Sequence, residues 1–238
     1  DAEALARDGQ AGFDRLERCA GEGYGADEII LMISASEKHN LLNFRMSHED
    51  AMAEHARIVR RAHALGVRVI GCAGTVYGCP VGGDVPLQDV ARIVRFYLGE
   101  GAQTIMLGDT TGMANPVLVR ERVGELRALF PGAELIAHFH DTRGTGVVNS
   151  IAALETGVRY VDTSLGAIGG QPAPGAAQYS AGVTGDTCTA DLVALLGEVG
   201  IRTGVDLEAM IAAGRRGRGM LRPRRRSNGG RGRAGEPA

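Results

Sequence analysis

Two histidines one residue apart, His138 and His140, flank Phe139 and are followed at once by Asp141-Thr142. The group closes the apolar run Leu135-Ile136-Ala137. Side chains two apart on an extended strand project to the same side, so both imidazoles can reach one cation while Phe139 packs behind them. Paired imidazoles with an added carboxylate are a ligand set for a divalent metal. The same spacing also occurs in structural histidine pairs that only satisfy hydrogen bonds. The place of this pair, at a strand end and just before Gly144, favours the metal reading, because α/β barrels gather their chemistry at such ends. Other apolar runs end in the same way, on Ser34-Ala35-Ser36-Glu37, on Cys72, on Asp109-Thr110 and on Asp162-Thr163-Ser164.

The elements that carry these ends repeat along the chain. A helical stretch closes on Gly, and a short polar step leads into a β-rich apolar run. Copies start at Gly25, Gly66, Gly101, Gly132 and Gly157. Glycine suits the left-handed cap of a helix, and near-continuous apolar runs are what parallel strands show when both faces are covered. Between the runs, Ser47 reads as an N-cap with Glu49 and Asp50 in the first turn, and Pro86 and Pro116 suit first helical turns. Strands alternating with helices predict an α/β fold with a parallel sheet, either closed as a barrel or open and doubly wound. Polar residues at every strand end suit the barrel, whose strands converge on one face, and no GxGxxG or P-loop opens a helix. The five copies, with one further short strand expected between Thr163 and Gly185, fall short of eight. The expected fold is therefore an incomplete (β/α)8 TIM barrel with its first βα units missing, over residues 1–214.

Residues 215–238 change character. Nine arginines fall between Arg215 and Arg233, and the segment is expected to be a disordered Arg/Gly-rich tail. A solvated extension, or a shifted reading frame, is a simpler account of it than an RNA-binding segment. Without the tail the chain carries 17 basic and 27 acidic groups, an acidic body that argues against nucleic acid as a partner. At 238 residues and 44% hydrophobic content the chain can bury a full core. The four cysteines (Cys19, Cys72, Cys79 and Cys188) have no zinc-like or CxxC spacing, and no apolar run reaches membrane-spanning length. These features predict a cytoplasmic protein with reduced thiols and no membrane partner.

The stretch His138-Phe139-His140-Asp141-Thr142-Arg143-Gly144-Thr145-Gly146 resembles the HxHDTxGxG signature of hydroxymethylglutaryl-CoA lyases, within the DRE-TIM metallolyase superfamily. Other segments match in order. Ser34-Ala35-Ser36-Glu37 with Asn40 and Asn43 is similar to the family's SASE strand end, Gly78-Cys79-Pro80 to its GCP loop, and Leu107-Gly108-Asp109-Thr110-Thr111-Gly112 to its LGDTxG turn. Gly185 to Val193 and Gly200 to Leu207 complete the resemblance, which covers residues 11 to 214.

The resemblance implies a divalent metal, Mg²⁺ or Mn²⁺, on His138 and His140, with Asp186 where the family has the asparagine of a Gly-Asn pair. An Asp oxygen serves such cations at least as well, and its charge lowers the metal's electrophilicity. The other reading of Asp186 is a helix N-cap ahead of Asp191-Leu192. Asp109 is implied as a catalytic residue, and Thr110 and Thr142 as substrate contacts. The implied substrate is a 3-hydroxy-3-methylacyl-CoA, cleaved by retro-Claisen chemistry to acetyl-CoA and a keto acid, and a homo-oligomer is left open. Two departures stand out. The family's first strand supplies an adjacent Arg and metal-binding Asp, and no such strand segment precedes Ser34; the pair Arg7-Asp8 follows no β-rich apolar run. The family's catalytic cysteine, in a Gly-Gly-Cys-Pro loop, is replaced in Gly169-Gly170-Gln171-Pro172, where Gln171 cannot exchange a proton near neutral pH. The stretch that follows, Ala173 to Thr184, is longer than the family's loop and carries Tyr179 and Ser180. A lyase for a related substrate such as citramalyl-CoA, or a non-catalytic metal-binding homologue, are the alternatives.

Overall fold

The protein is described by a computed structural model that covers Asp14, residues 26–169 and residues 185–220. Five strands, β1 (Glu28–Ser34), β2 (Arg68–Gly74), β3 (Thr104–Asp109), β4 (Glu134–Phe139) and β5 (Tyr160–Asp162), pair in parallel in the order 1-2-3-4-5. After β1 come α1 (Glu37–Phe44) and α2 (His48–Ala64). Helix α3 (Leu87–Gly99) follows β2, α4 (Pro116–Leu129) follows β3 and α5 (Gly146–Glu155) follows β4. A 3₁₀ turn (Leu165–Ala167), α6 (Thr189–Glu198) and α7 (Leu207–Met220) complete the described chain.

The strand order decides between the two expected architectures. A doubly wound sheet must reverse direction at a switch point, whereas right-handed crossovers taken in one direction leave every helix on one side. This sheet has no reversal among the described residues, so it is an arc of a barrel. Its helix-facing side carries Ile33, Leu107, Ala137 and Phe139, each at most 1% exposed, against Val90, Ile93 and Val94 of α3 and Val119 and Val123 of α4. Its inner side carries a smaller apolar cluster of Ile70, Cys72 and Met106, with Met32 and Ile136 packed on it. The described residues do not close that side over. Ile30 is 53% and Tyr160 45% exposed, as expected where a barrel lacks strands.

The predicted cap at Ser47 is present and Pro116 opens its helix, whereas Pro86 stands in the cap position just ahead of Leu87. Ser36 and Ser47 accept from His39 N and Asp50 N at the starts of α1 and α2, and Asn115 accepts from Val117 N and Leu118 N ahead of Pro116. Gly66, Gly101 and Gly157 have φ of 72°, 98° and 87°, the left-handed conformation that glycine adopts without a Cβ clash. Gly132 does not share it, because α4 ends earlier, on the cap at Phe130. Gly25 lies outside the described residues.

Most of the stretch between Thr163 and Gly185, where a short strand is expected, lies outside the described residues; beside it the described chain forms two isolated bridges, His140 with Asp186 and Ser164 with Cys188. One expectation needs correction. Residues 215 to 220 are not a disordered tail but the last turns of α7. Arginine is a good helix former. Gly214 also lets the helix approach the Leu165–Ala167 turn so closely that a Cβ on Gly166 would stand 3.1 Å from Gly214 O. Residues 221–238 lie outside the description.

Candidate metal centre

β4 delivers His138 to the inner face, and the chain just past its end delivers His140. Phe139, on the opposite face, is fully buried and packs on Tyr77 with ring centroids 5.6 Å apart. The two imidazoles meet edge to face with centroids 5.0 Å apart. Asp186 reaches them from the far end of the chain, and backbone bonds hold it there. Thr187 N donates to Phe139 O at 3.0 Å and Asp141 N donates to Gly185 O at 2.7 Å. Asp186 Oδ1 lies 3.4 Å from His140 Nδ1 and 3.9 Å from His138 Nε2. Gly169 makes room for this carboxylate, since a Cβ there would stand 2.3 Å from Asp186 Oδ2.

One ligand atom from each of His138, His140 and Asp186 lies within 4.8 Å of the others. A cation with bonds of about 2.1 Å holds its donors about 3 to 4 Å apart, so a small closure of the side chains fits one ion to this set. The N-cap reading of Asp186 does not hold, because α6 starts at Thr189 with Cys188 in the cap position. The carboxylate is left to face the imidazoles.

A fourth group, not anticipated as a site residue, stands beside them. Asp162, the register partner of His138 across β4 and β5, binds His138 Nδ1 through Oδ2 at 2.6 Å. Burial opposes charge on His138, yet the Asp162 hydrogen bond and the nearby Asp186 carboxylate outweigh it and raise its pKa above the ordinary histidine value. Asp186 is also held above the ordinary carboxylate range, first by burial and then by repulsion from Asp162, with His138 working against both. On the same face burial, aided by Asp162, pushes the Cys72 thiol up to about 12, which leaves it inert.

The remaining expected residues lie around this cluster and not within it. Asp109 ends the strand face that carries Ile105 and Leu107, and its Oδ1 accepts from Met113 N at 2.8 Å and Ala114 N at 3.1 Å, holding the turn after β3. Its Oδ2 is buried with no hydrogen-bond partner among the described residues. Burial raises this carboxyl to about 7, against the two backbone N–H groups and the more distant charges of His138 and Arg143. Thr110 Oγ1 accepts from Thr75 N at 2.9 Å, and Thr75 Oγ1 accepts from Ser36 N at 3.1 Å, so these hydroxyls stitch the ends of β1, β2 and β3 together. Thr142 presses on Gly112, where a Cβ would stand 2.5 Å from its Oγ1. Gln171 and Tyr179 lie outside the described residues. Three clefts among the described residues open at the opposite, N-terminal strand ends, lined by groups such as Arg68, Gln103 and Glu134.

Comparison with known proteins adds a family to this geometry. The profile of the HMGL-like family matches residues 6–216. Hydroxymethylglutaryl-CoA lyase YngG of Bacillus subtilis is 35% identical over 189 residues, covering 79% of this chain and 61% of the relative. An HMG-CoA lyase from A. baumannii, solved in complex with coenzyme A and 3-methylmalate, shares 40% identity at a TM-score of 0.71, over 79% of this chain and 60% of that one. The hydroxymethylglutaryl-CoA lyase of Pseudomonas aeruginosa superposes with a TM-score of 0.79 at 32% identity, over 90% and 68%. The chain thus spans about three fifths of the length of the first two of these relatives. With a family match over nearly all of its described residues, and with the two histidines of the motif meeting at the barrel's C-terminal end, this chain belongs to the HMGL-like family.

Proposed function

We propose that this protein is a metal-assisted carbon–carbon lyase that cleaves a 3-hydroxy-3-methylacyl-CoA, hydroxymethylglutaryl-CoA first among them, to acetyl-CoA and a keto acid. The observation that carries the reading is the convergence of His138, His140 and Asp186 at the C-terminal end of the barrel arc. Relatives of 32 to 40% identity that are named for this activity support it. His138, His140 and Asp186 would hold a Mg²⁺ or Mn²⁺ ion, which when bound would supply a Lewis acid for the substrate's oxygens.

The hydroxyl proton passes to a base as the carbon–carbon bond breaks. The electron pair of that bond goes to the departing thioester as its enolate, and the hydroxyl carbon becomes the ketone. Asp109 is the group poised to take the proton. Its carboxyl sits at about 7, close to working pH, and its Oδ2 is free of the turn's hydrogen bonds. The enolate then needs a proton that Gln171 cannot supply.

A second reading has the same centre act, with the altered loop around Gln171, on a related branched substrate such as citramalyl-CoA, whose cleavage leaves the same enolate and the same need for a proton. The test is turnover of both thioesters with Mn²⁺ or Mg²⁺ by the parent, His138→Ala and His140→Ala. Activity in the parent with loss in both variants is expected. Retained turnover and Mn²⁺ binding in both variants would remove the metal assignment, and Mn²⁺ binding without turnover of either thioester would mark a non-catalytic homologue.

A further inference from the structure

Among the groups around the centre, Asp162 has no part in the family motifs that point to the site. It ends the three-residue strand β5, directly beside His138 in the parallel register, so the two side chains share the inner face. Its Oδ2 lies 2.6 Å from His138 Nδ1, the distance of a charge-assisted hydrogen bond. The other ring nitrogen, Nε2, is the one turned to Asp186 Oδ1, at 3.9 Å. A neutral imidazole carries its proton on one nitrogen and a lone pair on the other. A carboxylate at Nδ1 has no proton to give, so it holds the Nδ1–H tautomer and leaves the Nε2 lone pair for a cation.

We infer that Asp162 is a positioning residue of the metal centre: it fixes the tautomer and ring orientation of His138 and commits Nε2 as the atom that meets the ion. This rests on the metal reading above for its consequence but not for its geometry. The acceptor is on a neighbouring strand and not on a loop, so backbone pairing fixes the angle at which it meets the ring. Asp162 is also 45% exposed at its side chain, which makes it dispensable for packing. Its effect is therefore separable from folding.

Asp162→Ala and Asp162→Asn in the whole chain provide the test, with two readouts. Mn²⁺ affinity is measured by calorimetry. The imidazole tautomer of His138 is read from ¹⁵N–¹H correlation spectra of the metal-free protein in alkaline buffer, where the ring is neutral. The parent should show His138 as the Nδ1–H tautomer. Asp162→Ala should lose about 10- to 100-fold in Mn²⁺ affinity and show a mixture of tautomers, with the melting temperature held. Asp162→Asn, whose amide oxygen still accepts from Nδ1–H, should recover much of both. An Nε2–H ring in the parent, or Mn²⁺ affinity unchanged in Asp162→Ala, would overturn the inference. Absence of Mn²⁺ binding in the parent would instead count against the metal reading, and the tautomer spectra would still decide the role of Asp162.

Discussion

Replacing Asp109 by Asn separates what this residue does for the fold from what it does for the reaction. Its carboxyl is raised from 3.8 to about 7 by burial, so the native chain holds the proton more tightly than the unfolded chain does. Stability contributed by this group is therefore full below the unfolded value and is lost as pH rises through about 7. The shift corresponds to a ceiling of about 4 kcal/mol against the charged form at alkaline pH. Asparagine keeps an acceptor for Met113 N and Ala114 N, but its two neutral bonds are each weaker by about 1 kcal/mol than bonds to a carboxylate. The net expectation for Asp109→Asn is a gain of about 1 to 2 kcal/mol near pH 9, or about 2 to 8 °C in melting temperature, and no gain near pH 5. Thermal melts of parent and variant at both pH values, in the presence of a chelator, read this directly. Turnover should move the other way and fall about 10²- to 10⁴-fold, because the amide cannot accept the proton. A variant that melts below the parent at both pH values would refute the desolvation argument. A stability gain without loss of turnover would leave Asp109 as a holder of the turn and remove it from the chemistry.

Gly169→Ala places a Cβ 2.3 Å from Asp186 Oδ2, so the carboxylate must swing away. Calorimetry should then show Mn²⁺ affinity about tenfold weaker with the melting temperature little changed, and unchanged affinity would show that Asp186 is not a ligand. Gln171→Cys restores a thiol at the family's proton-donor position and should raise cleavage of hydroxymethylglutaryl-CoA, by up to about 10²- to 10⁴-fold. Tyr179 of the longer loop and Cys188, close in sequence to Asp186, are the groups that could stand in as donor, so fast parental turnover that survives Tyr179→Phe and Cys188→Ala together would refute this account of the donor.

The parallel sheet was legible because its signal is local: a glycine that ends a helix, then an apolar run too continuous for a strand with one wet face. His138 and His140 were legible for the same reason, since their spacing fits one strand face and their place marks a strand end. Asp162 was not. A single aspartate at the end of Gly157-Val158-Arg159-Tyr160-Val161 has no pattern of its own, and its meaning comes from a neighbour 24 residues earlier that only the strand register brings alongside. The available signal was the pairing of consecutive strands, which sets the polar ends of β4 and β5 side by side. Asp186 shows the converse limit. Its resemblance to a ligand position competed with an N-cap reading, and the helix boundary that separates them, Thr189, depends on Thr187 and Thr189 bonding back to Phe139 and Ser164.

Composition misled in the Arg/Gly segment because it averages over contacts. Disorder follows from such a sequence only where no surface accepts the chain. Residues 215–220 have one, since the glycines at 214 and 217 bring α7 down onto Leu165, Gly166 and Ile168. This packing matters for the site as well. The same turn leads to Gly169, which seats Asp186, and Ala167 O closes on Gly185 so tightly that a Cβ there would stand 2.7 Å away. Helix α7, the turn and the Asp186 segment thus form one packed block behind the carboxylate. The segment that composition marks as solvent is, up to Arg218, packed against the turn behind the candidate centre.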